Sequence, residues 1–254
     1  MDISFKKKMG DLQKEVALKS ADLEEYVEDF QGDIEECTIS DKFINISPRC
    51  VRCNLCSQEC PVDAIESADV IKPAKILNNC VKCEICAQTC PVRCISVFKT
   101  TATVDGEVEY HLESTEVPHR IIRMKNIEVS PEKCTSCGTC ARLCPTSAIT
   151  VENDQPADIN RELCVGCGSC ASVCPADAIT LERELGPVIE TRELIIDQDT
   201  CVECLICEEN CPTGAIKLED GEIVLDKDKC ISCDVCSTKC PVNALTLERL
   251  ANES

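Results

Sequence analysis

Cys50-Val51-Arg52-Cys53-Asn54-Leu55-Cys56-Ser57-Gln58-Glu59-Cys60-Pro61 is the stretch that decides the reading of this chain. Its C-x2-C-x2-C-x3-C-P spacing returns five times, at Cys80/Cys83/Cys86/Cys90-Pro91, Cys134/Cys137/Cys140/Cys144-Pro145, Cys164/Cys167/Cys170/Cys174-Pro175, Cys201/Cys204/Cys207/Cys211-Pro212 and Cys230/Cys233/Cys236/Cys240-Pro241. Six runs take 24 of the 26 cysteines, leaving only Cys37 and Cys94 outside them.

Four soft thiolates at tetrahedral corners are what a cubane 4Fe–4S cluster needs. Two-residue gaps let one tight loop wrap three corners, with backbone amides aimed at the sulfurs. The fourth Cys, just before Pro, is the one that reaches the other cluster of a pair. Proline has a fixed φ and no amide hydrogen, so it is expected in the first turn of a short helix that carries this Cys away. Structural zinc prefers C-x2-C pairs a dozen or more residues apart. A disulfide framework suits a short secreted chain, whereas residues 1–20 hold three consecutive lysines and no apolar h-region, so no signal peptide is expected.

From first Cys to first Cys the runs stand 30, 54, 30, 37 and 29 residues apart, which pairs one with two, three with four and five with six. The expected organisation is α+β: an amphipathic helical extension over 1–42, a first two-run unit over 43–98, a hairpin insertion or linker over 99–126, a second unit over 127–183 and a third over 184–254. Short strands enter the runs at Phe43-Ile44, Ile127–Val129, Leu194–Ile196 and Ile223–Leu225. A C-P-x-x-A-[IL] signature leaves them, at Ala64-Ile65, Ala148-Ile149, Ala178-Ile179, Ala215-Ile216 and Ala244-Leu245. Cys94-Ile95 fills that place in the second run, so Cys94 reads as a small buried residue beside a cluster, not a fifth ligand. Cys37 likewise reads as a small hydrophobe.

Units of this size bury too little for an ordinary core, and the chain has four Phe, two Tyr and no Trp. Bound clusters must therefore supply much of the folding free energy, and the apoprotein is expected to be largely unfolded. The formal charge of −20, more negative still with clusters bound, repels phosphate backbones and anionic lipid, so no nucleic-acid partner is expected. No apolar stretch is long enough to span a membrane. Oxygen-labile thiolates without a signal peptide place the chain in a reducing cytoplasm, free or at the edge of a membrane complex.

In the N-terminal extension Leu12, Val16, Leu23, Tyr26, Val27, Phe30 and Ile34 recur at helical spacing. That stripe either caps the first unit or docks on a partner. In the insertion, Asp105-Gly106 marks a hairpin turn, and His111 and His119 read as surface residues. Gly138 and Gly168 follow the second Cys of their runs, where positive φ is easy, while Asn54, Glu84, Leu205 and Asp234 hold that place elsewhere. This difference predicts clusters of unequal potential.

These runs resemble the bacterial two-cluster ferredoxins, and their tandem arrangement resembles the polyferredoxins of methanogenic archaea, over residues 43–250. The resemblance implies six 4Fe–4S clusters. Cys50, Cys53, Cys56 and Cys90 would hold the first, and Cys80, Cys83, Cys86 and Cys60 the second. Cys134, Cys137, Cys140 and Cys174 would hold the third, and Cys164, Cys167, Cys170 and Cys144 the fourth. The fifth would use Cys201, Cys204, Cys207 and Cys240, and the sixth Cys230, Cys233, Cys236 and Cys211. It further implies a relay of low-potential electrons, not an enzyme in itself, whose partners are oxidoreductase or hydrogenase subunits and soluble ferredoxin. The six-cluster length most resembles the subunit of the membrane-associated energy-converting hydrogenase; the electron wires of formylmethanofuran dehydrogenase and of the heterodisulfide reductase-linked hydrogenase are the alternatives. No Gly-rich phosphate loop, H-E-x-x-H or nucleophile–base pair is present to support catalysis. A redox sensor is the rival of another class.

Overall fold

The computed structural model describes residues 37–105 and 107–250. The helical extension expected over 1–42 lies outside the described residues up to 36, and its last part, 37–42, is strand and not helix, because it pairs in the sheet of the first repeat. One packing unit takes in residues 40–100 and 111–254, with every cysteine run, and residues 101–110 fall outside it.

The part of the chain that carries the cysteine runs repeats one arrangement three times. In the first repeat, β1 (Cys37–Ile46), β4 (Ile95–Asp105) and β5 (Glu107–Thr115) form a sheet in the order β1-β4-β5, and β2 (Ile65–Glu66) pairs antiparallel with β3 (Lys75–Ile76). Phe43 and Phe98 stack across that sheet with ring centroids 6.4 Å apart. In the second repeat, β6 (Ile122–Val129) pairs with β9 (Ile179–Leu185), and β7 (Ile149–Thr150) with β8 (Asp158–Ile159). In the third, β10 (Arg192–Ile196) pairs with β13 (Leu245–Arg249), and β11 (Ile216–Glu219) with β12 (Glu222–Leu225). The strand before one run thus pairs with the strand after its partner run, which closes two runs into one unit.

Period-2 burial explains why these segments are strands. In β9 Ile179, Leu181, Arg183 and Leu185 face inward while Thr180, Glu182 and Glu184 face out. In β6 the inward set changes parity, from Ile122 and Met124 to Ile127 and Val129, and the register shifts between Met124 and Asn126 to allow it. β4 and β5 are neighbours on either side of residue 106, where the Asp-Gly turn was expected. β4 starts as the return strand of the first repeat, so the insertion extends an existing strand. β6 and β9 likewise take in residues on both sides of the 127–183 boundaries.

Short helices carry the third Cys of each run: α1 (Leu55–Gln58), α2 (Ile85–Thr89), α3 (Thr139–Arg142), α4 (Ser169–Ser172), α5 (Ile206–Glu209) and α6 (Val235–Lys239). Pro was expected to open a helix after the fourth Cys, and it does not. The helix lies before that Cys, and Pro takes the second place of a β-turn in which the N–H of Asp63, Arg93, Ser147, Asp177, Gly214 or Asn243 donates to the carbonyl of Cys60, Cys90, Cys144, Cys174, Cys211 or Cys240. Its fixed φ suits that position as well as a helical first turn.

Candidate metal centres

Each run holds three residues in the left-handed region. They stand before the second Cys (Arg52, Lys82, Ser136, Gly166, Glu203, Ser232), after it (Asn54, Glu84, Gly138, Gly168, Leu205, Asp234) and three residues after the fourth (Asp63, Arg93, Ser147, Asp177, Gly214, Asn243). Left-handed residues set between right-handed ones turn successive N–H groups into one concavity, the backbone device that receives anions and iron–sulfur clusters. Glycine therefore does not set Gly138 and Gly168 apart: all six runs adopt the same backbone at that place, and 14 of the 18 positions are not glycine.

The fourth Cys of every run is held in the same way. The N–H four residues on donates to its sulfur: Ala64 to Cys60 at 3.2 Å, Cys94 to Cys90 at 3.3 Å, Ala148 to Cys144 at 3.3 Å, Ala178 to Cys174 at 3.3 Å, Ala215 to Cys211 at 3.2 Å and Ala244 to Cys240 at 3.2 Å. All six donors are buried. A small side chain is needed there because the backbone must close on a sulfur.

The thiols surround cavities. Cys50, Cys53, Cys56 and Cys90 line one, with Cys94. Cys134, Cys137, Cys140 and Cys174 line a second. Cys201, Cys204, Cys207 and Cys240 line a third, and Cys211, Cys230, Cys233 and Cys236 a fourth. Each takes three cysteines from one run and the last from its partner. In the remaining two sets, Cys60 adds to the electrostatic load on Cys83, and Cys144 to that on Cys167. Among the described residues no three His, Cys, Asp or Glu side chains converge on a single ion. The thiols are spread around a space instead, and four soft donors with a rim of N–H groups fit a cubane cluster.

Burial is the first force on these thiols. It pushes Cys53 and Cys83 up to about 11 and Cys56, Cys170 and Cys236 up to about 12, with neighbouring thiolates adding to it. Cys50 and Cys90 go the other way, down to about 5 and about 6, because the Cys94 thiol hydrogen-bonds to both. Those same bonds raise Cys94. Its sulfur stands 3.4 Å from that of Cys90, with either thiol able to donate, and the residue is buried against the cavity that Cys50 and Cys90 line. Cys37 begins β1.

His111 is exposed, while His119 is half-buried with Nε2 shielded from solvent and lacking a partner. Burial first, then Arg93, lowers its pKa, so it is not the plain surface residue expected.

Sequence reasoning missed Glu84. It is fully buried beside Cys83 and accepts from Arg249 Nη2 at 3.2 and 3.3 Å and from Lys42 Nζ at 3.3 Å, with Arg192 Nη1 at 3.9 Å. Burial, then the charge of Arg192, lowers the Lys42 pKa, and Glu84 opposes both. A charged residue inside a run gives no sign that cations from residues 42, 192 and 249 will meet on it.

Residues 79–148 and 163–215 match a 4Fe–4S dicluster domain family, residues 125–181 match a second 4Fe–4S dicluster domain family, and residues 47–66 and 223–246 match the 4Fe–4S binding domain. Over 126 residues the chain is 50% identical to an uncharacterized polyferredoxin-like protein of Methanocaldococcus jannaschii, covering 49% of this chain and 50% of that protein. Over 108 residues it is 32% identical to the polyferredoxin protein MvhB of Methanothermus fervidus, covering 42% of this chain and 22% of that one. The chain thus spans half or less of the length of these relatives.

Proposed function

The chain belongs to the methanogen polyferredoxins, and from that premise we propose that it relays low-potential electrons within a larger oxidoreductase, holding six 4Fe–4S clusters on three two-run units over about 43–98, 127–183 and 184–254. The ligand sets are the crossed ones implied by the ferredoxin resemblance. The observation that carries the proposal is the set of four cavities, each lined by three cysteines of one run and the fourth of its partner. A bound 4Fe–4S cluster takes up and gives back one electron, at a potential set by its charge, the hydrogen bonds to its sulfurs and its exposure to solvent.

The protein's own part is to hold and tune. Backbone N–H groups donate to the fourth cysteine of every run, and at Cys90 the Cys94 thiol stands within hydrogen-bond reach as well. Short apolar strands close over the cavities, with Ile65, Ile95, Ile149, Ile179, Ile216 and Leu245 buried directly after the small residue. Among the described residues no helix is long and apolar enough to cross a membrane.

The partner we assign is a hydrogenase complex, of the membrane-associated energy-converting kind that the six-cluster pattern most resembles. Formylmethanofuran dehydrogenase and the heterodisulfide reductase-linked hydrogenase are the alternatives, and the chain itself carries no substrate chemistry. An anaerobic pull-down of the tagged native chain with mass spectrometry tests this. Recovery of energy-converting hydrogenase subunits supports it. Recovery of formylmethanofuran dehydrogenase or heterodisulfide reductase subunits moves the same relay to that complex. A chain whose partner affinity changes on oxidation, without passing electrons, is a sensor.

A further inference from the structure

The three repeats are not joined in chain order. The first repeat stands between the other two, and the second cysteine of a run lies at each joint. Where the first repeat meets the second, Cys53, Leu55 and Cys167 share one buried apolar cluster. Asn54 Nδ2 donates to Ser172 Oγ at 2.8 Å, Ser169 Oγ donates to the Val51 carbonyl, and Arg183 reaches both the Cys167 carbonyl at 2.6 Å and Gln58 Oε1 at 3.2 Å. The first run therefore faces the fourth.

Where the first repeat meets the third, the second run faces the sixth. Arg249 of β13 binds Glu84, and Arg192 Nη2 donates to the Cys83 carbonyl at 3.2 Å while its own carbonyl accepts from Ser232 Oγ at 3.3 Å. Cys80 and Cys233 line the same cleft. The linkers lie on the first repeat too: Gln88 exchanges two hydrogen bonds with Ile189, and Arg120 joins Glu59 to the Gly186 carbonyl.

By the symmetry of the runs, the second cysteine and the residue after it occupy the same outward place six times. At the joints that place is used: Cys53 and Cys167 are buried, Cys83 and Cys233 half-buried, and Asn54 and Glu84 make the bonds to the neighbouring repeat. Among the described cysteines only Cys137 and Cys204 are exposed. Leu205, after Cys204, combines positive φ with 42% exposure, and Val202 is 58% exposed. A branched apolar residue held in the left-handed region and offered to solvent is costly unless a partner covers it.

We propose that the six thiol sets form one unbranched line in the order third, fourth, first, second, sixth, fifth run, open at Cys137 and Cys204, so that a redox protein exchanging electrons with the chain meets it at one of those two ends. This rests on the ligand sets proposed above. It places the middle and C-terminal units at opposite ends and makes the first unit the bridge.

The test uses the anaerobic holoprotein, with bound iron measured first. Ferricyanide is added in steps with iodoacetamide present, and mass spectrometry follows labelling of each cysteine. The expected result is early labelling of two whole sets, Cys134/Cys137/Cys140/Cys174 and Cys201/Cys204/Cys207/Cys240, with the four inner sets still protected. Loss of an inner set such as Cys50/Cys53/Cys56/Cys90 before or together with the end sets overturns the order and leaves the metal centres standing. Labelling of all runs before any oxidant, with no bound iron, contradicts the metal-centre reading itself.

Discussion

The carboxylate of Glu84, shut away from solvent one residue after Cys83, accepts from Arg249 Nη2 with both its oxygens, at 3.2 and 3.3 Å, although 165 residues separate the two. Lys42 and Arg192 complete a cage of three cations around one anion. Glu84→Ala leaves those cations facing one another at a joint. A loss of about 3 kcal/mol is expected, since breaking a buried pair strands charge. Arg249→Ala leaves Glu84 two cations, and its own side chain is 42% exposed, so about 1 kcal/mol is expected. Guanidinium unfolding followed by cluster absorbance checks the ranking. An Arg249→Ala loss equal to or above that of Glu84→Ala contradicts it.

Cys94 differs from its five Ala counterparts by one thiol, 3.4 Å from the Cys90 sulfur, and with Cys90 a thiolate ligand its S–H is the donor of that pair. A donor to a thiolate favours the more negative, reduced cluster, so removing it lowers the potential. Cys94→Ala should keep its full iron content and shift one cluster downward by tens of mV, on the order of one hydrogen bond. An EPR-monitored redox titration measures both quantities. Loss of one cluster's iron would make Cys94 a ligand.

Fourteen non-glycine residues of the runs sit at positive φ, and for the nine that are neither Asn nor Asp the cost is on the order of 1–2 kcal/mol each. Without clusters nothing in so small a core offsets that sum. Chelation under reducing conditions should abolish far-UV circular dichroism of the strands, and rebuilding with iron and sulfide should restore it. An apoprotein with unchanged strand signal would show that the polypeptide holds its own fold.

Leu205→Asp keeps the backbone, because Asp234 already occupies the same left-handed place in the sixth run. It adds charge and removes apolar surface at the Cys204 end. If a partner docks there, the rate of electron exchange with it falls while iron content stays constant. Ile71→Asp, a change at a residue 83% exposed and outside the runs, serves as the control. Equal effects of the two substitutions would remove Leu205 from any docking role.

What the sequence shows well is what is local. Cysteine spacing sets three thiols on one loop, the alternation in segments such as Ile179–Leu185 sets strands, and the small residue in C-P-x-x-A marks where backbone closes on sulfur. Conformation hidden by residue type is harder to read: Glu84 and Leu205 adopt the backbone of Gly138 because the loop imposes it, against their own preference. The proline turn is hidden for a related reason, since one fixed φ serves a helix start and a β-turn alike. The joints depend on side chains such as Asn54, Arg183, Arg192 and Arg249, each ordinary in its own segment. No period or spacing records that the first repeat lies between the other two.

Native mass spectrometry of the anaerobically purified chain weighs the cofactors directly. A mass above the polypeptide equal to six 4Fe–4S clusters, lost in steps of one cluster as Cys56→Ala, Cys140→Ala and Cys207→Ala are combined, is the predicted result. A mass matching single metal ions, or a polypeptide that binds no iron and sulfide when folded, would contradict it.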